Sequence, residues 1–168
     1  MIHIPSEWNE LPEEFLSNCK SIKEIVIPDN ITSINNSCFR NCSELTNIKL
    51  SSNLKYIGPQ CFKLCTSLKQ IEIPDSVTDI KHGSFDECIS LKKVNIPSLI
   101  TLIRRNTFSN CSSLEEIYIP NSVQSIENCA FENCISMTSL TIPKRLFSSK
   151  DKFLINCSSL KEIIFNEN

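Results

Sequence analysis

Apolar and polar residues alternate along this chain in a pattern that returns every 23 residues. In each repeat an apolar residue is followed three and five positions later by two more, with mostly polar residues between them. The sets with this spacing are Ile22/Ile25/Ile27, Leu45/Ile48/Leu50, Leu68/Ile71/Ile73, Leu91/Val94/Ile96, Leu114/Ile117/Ile119, Met137/Leu140/Ile142 and Leu160/Ile163/Phe165. Such alternation predicts a short strand with one buried face in every repeat. The proline that follows most of these strands lacks a backbone donor and predicts where each strand ends.

Two further sets of apolar positions share this register, so each repeat has three apolar sides. The second side consists of Ile31/Ile34, Leu54/Ile57, Val77/Ile80, Ile100/Ile103 and Val123/Ile126. The third side consists of Phe39, Phe62, Phe85, Phe108 and Phe131. A coil of this length cannot bury three apolar sides alone, but it can do so between neighbours stacked about 4.8 Å apart. The pattern therefore predicts one solenoid of stacked coils.

We expect a single domain over residues 1–168, with no linker. Residues 1–18 form a partial N-terminal capping repeat, residues 19–156 form six full repeats, and residues 157–168 form a partial C-terminal repeat. In the first of these segments, apolar residues are interleaved with glutamates, which predicts a charged lid over the first full repeat. The apolar residues of this lid are Trp8, Leu11, Phe15 and Leu16.

Seven of the ten cysteines follow the same register, and they allow three interpretations. They are Cys19, Cys42, Cys65, Cys88, Cys111, Cys134 and Cys157. They could be small buried thiols, each mostly preceded by an Asn that satisfies the turn backbone or forms a ladder. Disulfides are disfavoured, because stacked Cβ atoms about 4.8 Å apart lie slightly beyond the preferred distance. The spacing Cys38-x-x-x-Cys42 and Cys61-x-x-x-Cys65 suits zinc, but stacked pairs form a rectangle instead of a tetrahedron. The pattern favours buried thiols without a metal.

The repeat C-x-S-L-x-x-I-x-I-P-x-S-V-x-x-I-x-x-x-x-F-x-x-C resembles that of the BspA-like leucine-rich repeat family of bacteria and protozoan parasites. The resemblance covers about seven coils, with departures such as Ser51 for proline and Met137 for leucine. It implies a leucine-rich repeat solenoid, β-rich although grouped with α/β folds by convention. Parallel strands would stack in a curved right-handed coil, with a second short extended segment around V-x-x-I. It also implies recognition or adhesion, and it offers no catalytic residue to transfer.

Composition and charge narrow the function classes. The chain carries 17 Lys and Arg against 19 Asp and Glu, which leaves no basic field for nucleic acid. Its only glycines, Gly58 and Gly83, cannot build a glycine-rich phosphate loop. Its histidines, His3 and His82, lack patterned partners for a catalytic triad or a metal site. We therefore predict a protein that is not an enzyme, needs no cofactor, does not span a membrane and binds a protein partner.

The cellular location is predicted from three features. The first residues carry glutamates where a signal peptide has a basic start and an apolar stretch. Ten mostly unpaired cysteines favour a reducing compartment. Five N-x-S/T sequons occur, at Asn30, Asn35, Asn41, Asn110 and Asn156, and glycans on the three in the Asn-Cys turn would prevent stacking if those side chains face inward. We expect a cytoplasmic or nuclear scaffold or regulatory subunit. The alternative is a surface adhesin that binds host or matrix proteins and is exported without a signal peptide.

Residues between the buried strand positions should point outward and form a binding face. The outward columns are Glu24, Asn47, Gln70, Lys93, Glu116, Ser139 and Glu162, then Val26, Lys49, Glu72, Asn95, Tyr118, Thr141 and Ile164. Within them we predict that the partner-binding residues are Lys49, Gln70, Glu72, Lys93, Asn95, Glu116 and Tyr118. Tyr118 is the expected anchor, because an aromatic residue among charges of both signs is typical of an interface. The competing interpretation is an ordinary solvated face.

The last repeat leads to two more predictions. Its segment Lys161-Glu162-Ile163-Ile164-Phe165 resembles the K-x-I-x-F sequence by which regulators dock type-1 serine/threonine phosphatases, with Lys161, Ile163 and Phe165 as docking residues. Ile163 and Phe165 are also expected in the core, so docking would require the last coil to fray. An uncovered strand edge favours self-association, and we predict a homodimer through Ile163, Ile164 and Phe165.

Overall fold

Each coil contributes two short strands, and equivalent strands of successive coils lie side by side. The computed structural model describes residues 2–148 and 152–166. The description does not include residues 149–151, or Met1 and residues 167–168 at the two ends of the predicted domain. One side, here called the strand face, comprises β2 (Glu24–Val26), β4 (Asn47–Lys49), β6 (Gln70–Ile71), β8 (Lys93–Val94), β10 (Glu116–Tyr118), β12 (Ser139–Pro143) and β13 (Glu162–Asn166). The second side comprises β1 (Glu10–Leu11), β3 (Ser33–Ile34), β5 (Tyr56–Ile57), β7 (Asp79–Ile80), β9 (Leu102–Ile103) and β11 (Ser125–Ile126).

Parallel pairing sets each residue beside its equivalent in the next coil. On the second side β1, β3, β5 and β7 pair in that order, and β9 pairs with β11. On the strand face β2 pairs with β4, β6 with β8, and β12 with both β10 and β13. Ile25 lies opposite Ile48, and Leu140 lies opposite Ile163. The predicted solenoid of parallel strands, with its second extended segment, is confirmed.

Identical side chains stack along the core because the register is constant. Phe39, Phe62, Phe85, Phe108 and Phe131 form a continuous column of fully buried rings. Neighbouring ring centroids are 5.3 to 5.5 Å apart, and the ring planes differ by at most 10°. Burial of such rings removes a large apolar area from water, which is the main favourable term in folding.

The turn before each cysteine uses left-handed backbone. Asn18, Asn41, Asn110, Asn133 and Asn156 all have φ near +60°, a region that Asn tolerates better than most residues. Their amides also form a ladder: Asn41 donates to Asn18 Oδ1 at 2.8 Å, and Asn133 donates to Asn110 Oδ1 at 2.8 Å. The predicted Asn ladder is present, but Leu64 and Glu87 interrupt it in the two middle coils, where they too have positive φ.

The cysteine column is a row of thiol donors. All ten cysteines are free, so the disulfide interpretation is wrong. Cys65 Sγ donates to the Phe39 carbonyl at 3.2 Å, and Cys88 Sγ donates to the Phe62 carbonyl at 3.1 Å. The same bond to the carbonyl 26 residues earlier is made by Cys42, Cys111, Cys134 and Cys157. Each thiol therefore satisfies a backbone acceptor of the preceding coil.

The two ends of the stack differ. At the N-terminal end Leu11 and Leu16 are buried, the partly buried Trp8 and Phe15 rings meet edge to face at 5.3 Å, and the glutamates between them in sequence are exposed. At the other end the prediction for Phe165 is wrong, because this core-register residue is 44% exposed. It lies opposite Ile142 but has no described coil on its other side, and it packs instead on Phe147 at 5.8 Å.

Candidate functional site

Because side chains alternate between the two faces of each short strand, the residues of the predicted outward columns point toward solvent. In β2, β4 and β10 the middle residue is buried and its two neighbours are exposed. Gln70 and Lys93 are exposed at the starts of β6 and β8, and Glu72 and Asn95 follow those strands and are exposed as well. The pleat of a strand requires this arrangement, because successive side chains point to opposite faces.

The strand face contains a groove of about 1140 Å³ that spans five coils. All seven predicted partner-binding residues line it: Lys49, Gln70, Glu72, Lys93, Asn95, Glu116 and Tyr118. Asn47, Ser139 and Thr141, which belong to the outward columns, line it too. Sequence reasoning missed Ser52 and Pro74, which come from the turns after β4 and β6; for Pro74 the signal was its strand-ending position. The structure thus brings the predicted side chains together, while their role in binding stays a prediction.

Four charged side chains in the groove form no close ion pair, although Lys49 is near enough to Asp29 to interact with it electrostatically. Among the described residues, the ion pairs within 4 Å do not include Lys49, Glu72, Lys93 or Glu116. Tyr118 adds an aromatic side chain that is 55% exposed, beside Glu116 in the same coil. An exposed amphipathic ring next to charges of both signs has the composition of an interface anchor.

Asn95 has a structural role that the sequence pattern did not reveal. Its amide nitrogen donates to the Ile73 carbonyl at 2.7 Å, and its Oδ1 accepts from the Ile73 N–H at 2.8 Å. In two other coils the equivalent backbone N–H, that of Ile27 or Ile119, donates to a backbone carbonyl. The Asn95 side chain therefore takes the place of a backbone partner for Ile73. The ladder of strand hydrogen bonds ends at this point, and β6 and β8 are only two residues long.

The C-terminal coil presents a second exposed surface. Ile164 is 43% exposed, Phe165 is 44% exposed, and Phe147, which packs on Phe165, is 36% exposed. Ile163 is partly buried and packs against the core, while Lys161 is exposed just before β13. The three predicted phosphatase-docking residues are thus adjacent, but Ile163 is paired opposite Leu140 and is not free to enter another protein's pocket.

The thiols of the described cysteines are mostly buried and are not grouped as the ligands of a metal ion would be. Over residues 2–148 and 152–166, no three His, Cys, Asp or Glu side chains come together in a way that could hold a metal ion. Burial raises the pKa of the Cys42 thiol to about 11 and that of the Cys38 thiol to about 12, so both stay protonated at neutral pH. Protonated thiols can donate to backbone carbonyls but are poor nucleophiles and metal ligands. The same part of the chain contains no helix with the length and apolar character needed to cross a membrane.

Comparison with protein families identifies the repeat. The model described as "BspA type Leucine rich repeat region (6 copies)" matches residues 1–114 and 80–168, which together include every position of the chain. Among curated proteins, none is detectably similar in sequence.

Solved structures share the same architecture. The T. pallidum leucine rich repeat protein is 30% identical with a TM-score of 0.80, over 84% of this chain and 69% of that one. A leucine-rich repeat protein from Bacteroides ovatus is 29% identical with a TM-score of 0.76, over 96% and 54% of the two chains. A leucine rich cell surface protein from Faecalibacterium prausnitzii is 20% identical with a TM-score of 0.62, over 98% and 59%, and this similarity shows the fold alone. The chain thus spans between about half and two thirds of the length of these proteins.

Proposed function

The chain belongs to the BspA-type leucine-rich repeat family, and from that premise we propose that it is a non-catalytic scaffold or regulatory subunit. It recognises a partner protein through the groove of the strand face. The observation that carries this proposal is the convergence of exposed, unpaired charges and the Tyr118 side chain in one groove on a rigid stack. Rigid strands favour recognition, because little conformational entropy is lost when their side chains are covered.

The test compares capture by three versions of the full chain. Immobilised wild-type protein, the Tyr118→Ala/Lys93→Glu double variant and the Gln124→Ala control are exposed to extract of the cells that make the protein. Gln124 is exposed in the same coil as Tyr118 but precedes β11 on the second side. A partner of the groove is retained by the wild type and the control and lost by the double variant. Loss of a single interface anchor typically costs about 2 kcal/mol or more, which exceeds a tenfold change in affinity.

The control on stability is the melting temperature. Both groove residues are exposed, so their substitution should leave the melting temperature within about 2 °C of the wild type. If every captured protein bound the double variant as well as the wild type, the groove would not be the recognition surface.

A second proposal concerns self-association through the C-terminal coil. Three observations support it: Ile164, Phe165 and Phe147 are exposed apolar side chains, β13 is paired with β12 alone among the described strands, and β13 is among the longest of those strands. Two copies related by a two-fold axis would cover this edge and close the assembly. Light scattering at tens of micromolar should give a dimer that Ile164→Lys converts to a monomer. A wild-type monomer under these conditions would contradict the proposal.

Phosphatase docking, adhesion and the cellular location stay predictions. For docking, Ile163 would have to leave its place opposite Leu140, whereas Phe165 is already accessible. Purified type-1 phosphatase catalytic subunit provides the test, because Phe165→Ala should abolish its binding if K-x-I-x-F is the docking sequence. For the location, the redox state of the cysteines separates the two hypotheses. The cysteines of an adhesin recovered from outside intact cells should be oxidised, whereas an intracellular scaffold should retain its free thiols.

A further inference from the structure

The four unpaired charges of the groove alternate in sign along the stack. Lys49, Glu72, Lys93 and Glu116 come from four successive coils, in that order. Each coil is displaced from the next by the strand spacing, so the charges follow one another at steps of about 4.8 Å along the solenoid axis. Lys49 and Glu72 occupy the second outward column, and Lys93 and Glu116 the first, so the row steps about 6.6 Å across the groove between Glu72 and Lys93.

The spacing between neighbouring coils matches the axial spacing of residues on one face of an α-helix that lies across the strands. Residues i, i+3, i+7 and i+10 of a helix lie at about 0, 4.5, 10.5 and 15 Å along its axis, within an arc of about 80°. Four coils lie at about 0, 4.8, 9.6 and 14.4 Å. The two sets agree within about 1 Å, so such a helix places one facing side chain over each coil.

An extended segment fits this groove less well. Its facing side chains would repeat about every 6.6 Å, which is out of step with neighbouring coils. Most strands that line the groove are also paired within the stack, so they offer few free backbone groups for an added strand.

We propose that the partner presents an α-helix that lies along the groove, with an acidic residue at i, a basic residue at i+3, an acidic residue at i+7 and a basic residue at i+10. This proposal rests on the function proposed above and specifies its ligand. The acidic residues face Lys49 and Lys93, and the basic residues face Glu72 and Glu116. An apolar residue at i+11 contacts Tyr118, which is 55% exposed beside Glu116. The alternating charges provide both register and direction, because the opposite direction would set like charges together.

The probe is a stapled 16-residue helical peptide of Ala and Gln with glutamates at peptide positions 2 and 9, lysines at 5 and 12, and leucine at 13. Its isomer has glutamates at 2 and 5 and lysines at 9 and 12, so composition and net charge are equal and only the order differs. Circular dichroism verifies that both are helical. Binding to the full-length chain, labelled with ¹⁵N, is measured by NMR titration at low salt. The matched peptide should bind about tenfold more tightly than the isomer, because two of the four exposed charge pairs, at peptide positions 5 and 9, change from attraction to repulsion.

A charge exchange in the protein provides the decisive control. The Lys93→Glu/Glu116→Lys variant keeps the composition and net charge of the chain, and both residues are exposed, so folding is retained. It should lose its preference for the matched peptide and prefer a third isomer, with glutamates at 2 and 12 and lysines at 5 and 9. Amide shift changes should concentrate at groove residues, and the preference should shrink as salt is raised.

Two results would overturn the helix proposal. One is that the wild type binds the peptides with equal affinity, or binds neither of them; the other is that the charge exchange fails to invert the preference. If the groove variants nevertheless lose a partner in the capture experiment above, the proposed function stands and its ligand is a segment of another conformation. If capture is also unchanged, both proposals fail.

Discussion

At the residue scale, the turn before each cysteine combines a backbone requirement with a side-chain ladder. The turn needs a positive φ, which costs an ordinary residue about 1–2 kcal/mol and Asn less. Asn156 donates to Asn133 Oδ1 at 2.9 Å, so the same side chain that tolerates the turn also joins neighbouring coils. Leu64, with φ of 64°, tolerates this backbone less well than Asn and has no side-chain amide to extend the ladder.

Replacement of Leu64 by Asn should therefore stabilise the fold. The Asn amide would stand one coil from Asn41 and extend the ladder, while the left-handed backbone would be relieved. We expect a gain of about 1 kcal/mol, or about 2–4 °C in melting temperature for a chain of this size. The matched control is Asn41→Leu, which removes an existing ladder bond and should lower the melting temperature. A lower melting temperature for Leu64→Asn would show that the apolar contacts of the half-buried Leu64 outweigh the ladder.

The buried thiols make stability depend on alkaline pH. Burial raises the pKa of both Cys42 and Cys157 to about 11 from an ordinary value of 9.0. Above pH 9 the unfolded chain loses these protons while the folded chain keeps them, so the free energy of unfolding falls as pH rises from about 9 to about 11. The slope reaches about 1.4 kcal/mol per pH unit for each such thiol.

Thermal melts between pH 8 and 11 should therefore show a falling melting temperature. The Cys42→Ala/Cys157→Ala variant, although less stable at neutral pH, should show a shallower fall over the same range. Equal slopes for the two proteins would mean that other groups, such as lysines and tyrosines, cause the alkaline loss.

At the element scale, the strands are short because the turns on both sides of them must stack as well. Two-residue strands contribute few hydrogen bonds within any one pair, and each depends on the coils next to it. Between β6 and β8 a side chain joins neighbouring coils in place of the backbone. The amide of Asn95 forms hydrogen bonds with both the N–H and the carbonyl of Ile73.

Asn95→Ala should consequently destabilise the fold, although Asn95 is exposed. Both polar backbone groups of Ile73 would lose their partner, at a cost of about 1–3 kcal/mol if water replaces it poorly. The control is Asn47→Ala in the same groove, which makes no side-chain hydrogen bond in the described structure and should change stability by less than about 0.5 kcal/mol. Urea unfolding of both variants measures the difference. Equal stabilities would leave Asn95 as a candidate for partner contact only.

At the scale of the whole molecule, the coils interact mainly with their neighbours, so stability should vary along the stack. A central coil is covered on both sides, whereas the C-terminal coil leaves Phe165, a residue of the core register, exposed. Opening from an end uncovers one interface, while opening in the middle uncovers two.

Hydrogen exchange followed by mass spectrometry should show this gradient. Amides of β6 and β8 in the central coils should exchange most slowly, and those of β13 most rapidly. Dimerisation through β13 would slow its exchange as the protein concentration rises, and Ile164→Lys should abolish that dependence. Equal protection of all coils would indicate that the stack unfolds as one cooperative unit.

Most of the architecture follows from the sequence because one periodic pattern serves several physical needs at once. The 23-residue spacing determined the strands, the stacked phenylalanines, the cysteine column and the outward residues of the groove. Alternation in a strand and stacking in register are local rules, and every coil repeats them. The face on which Tyr118 and its charged neighbours lie was therefore predictable, although the depth of the groove was not.

The tertiary structure alone decided features that depend on what lies in the next coil. Phe165 stands in a core register but is exposed, since a register position is buried only if another coil covers it. Phe153 occupies the repeat position of Ala130, and both residues are buried. The Phe131 N–H donates to the Phe153 carbonyl, just as the Phe108 N–H donates to the Ala130 carbonyl, so the two coils stack in the same way. Asn95 has an outward position, yet its amide turns back to the chain. Sequence periodicity thus determined which side each residue faces, and only the packing between coils determined whether that side was covered, paired or open.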